Sequence, residues 1–219
     1  MTHIEVPDGI IPGLWVLAGL ALTLGLAFLA SRLVSADEAR RMLPRLAVSG
    51  ALMLLAMSIP LGIIPAHANV SALVGILIGP WFGFIAALIA NLLLALAGHG
   101  GITVVGLNTL VVGLEVLLGW AFFSLMRRRL PVAVAAGAST ALALSLSFFG
   151  ILAVLGSLGT DPVSILTEEG APRAAGFGFQ TPLAFLLTIF GIGTVIDTLL
   201  AGLVVGYIAR VRPDLLDLK

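Results

Sequence analysis

Apolar runs of about twenty residues, repeated along the whole chain, restrict its fold more than any other feature. They cover 12–33, 46–64, 70–97, 102–126, 131–158 and 181–209, with short polar or glycine-rich breaks between them. A transmembrane helix needs about 20 consecutive apolar residues, whereas the strands of a membrane barrel read as shorter alternating segments. Only 10% of the 219 residues are charged, against about 25% in a soluble domain. That is too little charge to cover a water-facing surface. The expected fold is therefore all-α: one integral membrane domain over 1–219, with an N-terminal segment 1–11, a helix bundle 12–211 and a tail 212–219. The sequence has no cysteine, which excludes disulfides, thiolate metal sites, iron–sulfur ligation and a cysteine nucleophile. The first twelve residues carry Glu5 and Asp8 but no Lys or Arg, so no positive n-region of a signal peptide is expected.

The run 70–97 is too long for one upright span and has Gly79-Pro80 in its middle. Proline breaks the helix ladder and restricts the residue before it. Charge decides between a kink and a turn, because Lys and Arg in short loops mark the cytoplasmic side. With a turn there are about seven spans, the N-terminus is outside and the C-terminus cytoplasmic. The loops 32–45 and 127–130 and the C-terminal tail then share one side, leaving Arg173 as the single external residue of the 11 basic ones. With a kink, one arginine cluster faces the wrong way. Seven spans are expected, with the third and fourth short enough that one of them does not cross fully. This arrangement puts His3, His67 and His99, all the histidines of the chain, on the external side.

The chain opens Met1-Thr2-His3. A histidine near a free α-amino group forms a nitrogen chelate from the amine, the intervening amide nitrogen and the imidazole. Four nitrogens in a plane suit Ni(II) or Cu(II) better than Zn(II) or Mg(II). Such a terminus is also, ordinarily, a mobile surface tail. His67 in Pro65-Ala66-His67 and His99 in Gly98-His99-Gly100-Gly101 read either as interfacial loop histidines or as metal ligands. Asn91, Asn108, Thr109, Glu115 and Asp197 lie in or beside apolar helices. Buried ionisable groups of this kind usually face the bundle interior. Glu115 and Asp197 fall in the cytoplasmic halves of their spans and have no basic partner at the same depth, so they serve either as neutral packing groups or in an ion path. Small residues four apart, Ala47/Ala51, Ala86/Ala90 and Gly202/Gly206, permit close helix contact.

Several chemistries drop out. There is no Gly-Lys-Thr nucleotide loop, so the chain does not itself hydrolyse ATP. The Arg127-Arg128-Arg129 run follows from topology and needs no nucleic acid. Ser49 lies at the opposite side from His67 and His99, which removes a serine–histidine protease. No enzyme activity is expected.

The segment from Pro65 through His67 and Asn69 to Gly79-Pro80-Trp81 resembles the His…Gly-Pro-Trp segment of the CbiM/NikM family. Gly100-Gly101-Ile102-Thr103 with Gly106 and Asn108 resembles that family's Gly-Gly-Leu/Ile-Thr-x-x-Gly-x-Asn. His3-Ile4-Glu5-Val6-Pro7-Asp8-Gly9 resembles its opening, and the likeness covers most of the chain. The family comprises the cobalt and nickel substrate-specific (S) components of energy-coupling factor (ECF) ABC transporters.

The resemblance implies a cell-membrane protein of a prokaryote that captures external Ni(II) or Co(II) as cargo, with no cofactor. It implies a square-planar nitrogen site closed by a loop histidine, here His67. Family members begin Met-His, whereas this chain begins Met-Thr-His. Initiator Met is often removed before a small residue, and the expected ligands are then the Thr2 amine, the His3 amide and imidazole, and the His67 imidazole. If Met1 stays, its amine, two amides and the His3 imidazole already fill the plane. His99 is a secondary candidate. The implied partners are a transmembrane coupling subunit, two cytoplasmic ATPases and membrane lipid, with a small accessory membrane subunit as a further candidate. Ala47/Ala51 is a candidate docking patch. The competing reading is an ion- or proton-coupled secondary carrier using Glu115 and Asp197. Nickel and cobalt are not distinguished by these residues; a link to cobalamin biosynthesis would accompany cobalt.

Overall fold

The apolar runs fold into seven α-helices among the described residues. The computed structural model describes residues 6–59, 67–157 and 182–216. The helices are α1 (Gly13–Leu33), α2 (Ala36–Ser58), α3 (Ser71–Ile78), α4 (Pro80–Leu96), α5 (Val105–Met126), α6 (Val132–Ser157) and α7 (Pro182–Val211), and a 3-10 turn, Pro213–Leu216, follows. Met1, Thr2, His3, Pro65, Ala66, Arg173 and the polar loop 159–180 lie outside the described residues.

Boundaries depart from the hydropathy pattern where capping decides. The polar stretch 32–45 is not a loop throughout: α2 starts at Ala36, because the Ser35 hydroxyl oxygen accepts from the Glu38 amide at 3.2 Å. Ser35 and Glu38 have the spacing of a capping box, which starts a helix irrespective of polarity. The arginines of this stretch therefore lie on helical turns.

Gly79-Pro80 is a turn. Gly79 has φ 82° and ψ 172°, closes α3 and opens α4. That backbone region is open essentially to glycine alone, and Pro80 takes the first helical position, where its missing N–H is harmless. Replacing Gly79 by Ala is expected to lower stability by about 1–3 kcal/mol, read as a reduced melting temperature of the detergent-solubilised protein.

The helices alternate in direction, so one end of the bundle gathers basic residues and the other gathers histidines. At the basic end the start of α2 (Arg41, Arg45), the α3–α4 turn and the end of α5 (Arg127) surround one cavity with Leu216. At the other end Val6, Ile11, Val104 and Leu155 form a small apolar cluster, and His67 meets His99. The first and last described residues thus lie at opposite ends. Central α5 packs on α1, α3, α4 and α6, and α6 packs on α7.

Third in order, α3 has 8 residues, about 12 Å of helix at 1.5 Å per residue. It covers less than half of a hydrocarbon core of about 30 Å. Its start lies beside Glu115 in the middle of α5, and its end lies at the basic cavity. Residues 67–70 lead into α3 without helix. The expectation of a short third span is met, and α4, with 17 residues, is the longer of that pair.

Buried small residues let the helices close up. Ala86 and Ala90 are buried, and a Cβ on Gly202 or Gly206 would come within 3.1 Å or 2.8 Å of Ala133 on α6. Ala47 and Ala51 instead face outward. So do Leu17, Leu24, Phe28, Leu52, Leu55, Leu199 and Leu203. An apolar outer belt of this extent is stable only against lipid.

Candidate functional site

The histidine end is built by stitching the N-terminal segment to the loop between α4 and α5. The Asn108 carboxamide grips Val6 on both sides: the Val6 amide donates to Asn108 Oδ1 at 3.0 Å, and Asn108 Nδ2 donates to the Val6 carbonyl at 3.1 Å. The Gly101 amide donates to the same carbonyl at 3.2 Å. Asp8 accepts from the amides of Ile102 (3.1 Å) and Thr103 (2.9 Å) and from the Thr103 hydroxyl. Gly101 permits this approach, since a Cβ there would come within 2.5 Å of the Asp8 nitrogen. Val6 is 1% exposed, so the chain leading back towards His3 leaves from a fixed, buried point.

The Thr103 hydroxyl, with the Thr103 and Ile102 amides, holds the Asp8 carboxyl below its ordinary pKa of 3.8. A lowered folded-state pKa gives stability that is complete above the ordinary value and fades as pH falls through the lowered one. The pin is therefore expected to persist across the range in which amine and imidazole ligands take up protons. The protection of the Val6 amide, its exchange taken relative to the unstructured chain at the same pH, should stay flat from about pH 8 to about pH 5 and fall only below about pH 4.

His99 is placed by the end of α4. The His99 amide donates to the Leu94 carbonyl at 2.8 Å and the Gly98 amide to Ala95 at 3.1 Å, with Gly98 at φ 82°. This is the Schellman arrangement that ends helices at a glycine. It fixes the His99 backbone and brings its ring within 5.5 Å of the His67 ring, centroid to centroid, at 72°. Both histidines are half-buried. Two imidazoles this close, beside a pinned N-terminal segment, can converge on one cation. No group of three or more His, Asp or Glu side chains poised for a metal occurs among the described residues, so a fuller donor set at this end draws on residues outside the described ones.

Two residues after His67, Asn69 enters a buried polar network. Its amide donates to Asp197 Oδ1 at 3.0 Å, its Nδ2 donates to Glu115 Oε2 at 2.7 Å, and its Oδ1 accepts from the Ser71 amide at 3.0 Å. The Ser71 hydroxyl donates to the same Glu115 oxygen at 2.6 Å. Glu115 is 1% and Asp197 2% exposed. Both acids lie in the middle of their helices and not in the cytoplasmic halves. Sequence marked Asn69 only as part of a family-like segment and did not single out Ser71, because an Asn and a Ser beside a helix start look like ordinary capping residues. The pairing of Asp8 with Thr103 likewise joins two motifs far apart in the chain.

A helical bundle with an apolar belt, and with polar groups gathered at one end and at mid-depth, defines a multi-pass membrane protein. The profile of the CbiM family, described as cobalt uptake substrate-specific transmembrane region, matches residues 3–215. The chain belongs to this family of cobalt and nickel transport membrane components, and it is a multi-pass protein of the cell membrane.

It is 31% identical over 182 residues to the probable fused nickel transport protein LarMN of Lactiplantibacillus plantarum (strain ATCC BAA-793 / NCIMB 8826 / WCFS1), covering 78% of this chain and 53% of that protein. The chain thus spans about half the length of this relative. The crystal structure of a truncated transition metal transporter matches with a TM-score of 0.73 and 20% identity, over 94% of this chain and 98% of the other. A second transition metal transporter structure matches with a TM-score of 0.73 and 19% identity, over 94% of this chain and 93% of the other. These two likenesses establish the fold.

Proposed function

We propose that the chain is the substrate-capture subunit of an ECF-type importer and takes Ni(II) or Co(II) at the histidine end. The ligands are the Thr2 amine, the His3 amide nitrogen and imidazole, and the His67 imidazole, with His99 flanking His67. The observation that carries this reading is the pinning of Val6 and Asp8 at the same end as the His67–His99 pair. His3 is three residues before Val6, so covalent geometry keeps it within about 10 Å of that pinned residue. A planar set of nitrogens suits Ni(II). Its amine and imidazoles must shed protons to bind, so affinity falls as pH drops from about 8 to about 5.

Metal analysis and mass spectrometry of the purified chain test the site together. The expected result is one Ni(II) or Co(II) per chain whose first residue is Thr2. Full metal occupancy on a chain that retains Met1 would overturn the ligand set. Nothing in the chain couples to an energy source, so this reading requires a transmembrane coupling subunit and two ATPases. The outward-facing Ala47 and Ala51 are the proposed contact for the coupling subunit. The network around Asn69 weighs against the secondary-carrier alternative, because Glu115 Oε2 already accepts two hydrogen bonds.

A further inference from the structure

The basic end of the bundle holds a cavity of about 320 Å³, part-open to the outside and unrelated to the histidine end. Among the described residues, Arg41 and Arg45 of α2 and Arg127, which caps the end of α5, line it, with Glu38 as the carboxylate in its wall and Phe123 and Trp120 among its apolar surfaces. Asp214 is near enough to Arg45 to feel its charge, but the Arg212 guanidinium holds that carboxylate through two bonds of 3.0 and 2.9 Å. Among the described residues, three guanidiniums against one available carboxylate make the cavity lining positive. Arg127 is braced, stacked 5.8 Å from the Phe123 ring and donating to the Leu216 carbonyl at 3.3 Å. Arg45 has a 3.8 Å contact to the Met42 sulfur.

From this cavity an apolar stripe runs along α2. Val48, Leu52 and Leu55 are 61%, 52% and 55% exposed. They follow Arg41 and Arg45 at steps of three, four and seven residues, which places all five on one helical face. Guanidiniums in a partly enclosed pocket, continued by an exposed apolar track in the direction of the bilayer interior, match a phosphate attached to acyl chains. Basic pockets between membrane helices recognise anionic lipid headgroups in this way. We infer that the cavity seats the phosphate of an anionic phospholipid from the adjacent leaflet, with its chains against Val48, Leu52 and Leu55. The bound lipid fills the space between α2, the α3–α4 turn and the end of α5. This inference does not depend on the metal site.

Native mass spectrometry of the full chain, titrated with phosphatidylglycerol and with phosphatidylcholine, tests it. The wild type should retain the anionic lipid selectively. Retention should fall by roughly fivefold for each guanidinium removed in Arg41→Gln, Arg45→Gln and Arg127→Gln. Arg45→Gln alone guards against misfolding, since Arg45 is exposed and braces no backbone group. The charge-matched variant Arg40→Gln, Arg128→Gln, Arg129→Gln should retain lipid like the wild type.

Equal loss in that control would reduce the effect to general surface charge and overturn the site. So would equal retention of phosphatidylcholine. Inorganic phosphate should not displace the lipid at matched concentration, because acyl burial adds about 0.8 kcal/mol per methylene. Displacement by phosphate would make this a free-anion site. Binding of a soluble polyglutamate peptide without any lipid preference would assign the pocket to an acidic protein partner instead.

Discussion

His67→Ala is expected to weaken Ni(II) or Co(II) binding by more than about a hundredfold, since loss even of a group that only supports a metal ligand costs about 10–100-fold. Isothermal titration against the wild-type protein measures this, with circular dichroism as the check that the bundle is intact. The comparison that gives the result meaning is His99→Ala. The His99 ring lies edge-on to His67 at 5.5 Å, so removing it frees the His67 ring to turn without taking a proposed ligand. Its expected cost is about tenfold, in the range of a supporting group. If His99→Ala abolishes binding and His67→Ala is tolerated, the roles of the two histidines are reversed and the ligand set must be redrawn. The site and the transport role remain separable: metal binding can survive while transport fails, but not the reverse.

Glu115→Ala and Glu115→Gln are expected to behave very differently. Alanine leaves Asn69 Nδ2 and the Ser71 hydroxyl without the acceptor they share. Each buried donor stranded in this way costs about 1–3 kcal/mol. Because Asn69 follows His67 by two residues, metal affinity should drop together with the melting temperature. Glutamine supplies a carbonyl oxygen in the same place, accepts both hydrogen bonds and carries no charge. Its metal binding, and metal uptake by vesicles holding the complete transporter, should stay within a few-fold of wild type. An ion- or proton-coupled carrier gives the opposite pattern, since neutralising the acid stops coupled transport while the fold is preserved. Uptake abolished in Glu115→Gln with unchanged thermal stability would therefore revive the carrier.

Much of the architecture was legible in the sequence because it follows from one-dimensional signals. Apolar run length marked the helices, Gly79-Pro80 marked the turn between α3 and α4, and the arginine clusters marked a common end. What hydropathy could not register was capping: Ser35 and Glu38 start α2 inside a stretch that reads as a polar loop. The depth of residues 67–70 was also hidden, since no local pattern announces backbone that descends without helix. The proximity of His67 to His99 agrees with the sequence placing both at one end, but the supports of this candidate site were not legible. Asp8 and Thr103 are 95 positions apart, and Val6 and Asn108 are 102 apart. A carboxamide that grips a backbone so far away looks, in sequence, like any other asparagine near a helix start.

The half-length α3 has a consequence for how the chain is made. Backbone at mid-membrane depth outside a helix must find hydrogen-bond partners within the protein. The Asn69 amide finds Asp197, 128 residues later, and the Asn69 carboxamide finds Glu115, 46 residues later. During synthesis the 67–78 segment therefore reaches bilayer depth without its final contacts until α5 and then α7 have been inserted. The segment that carries His67 is among the first to be translated and the last to be locked. A chain arrested before α7 holds both described histidines but lacks the Asp197 bond that fixes the backbone two residues after His67, so on the proposed ligand set metal capture waits for α7.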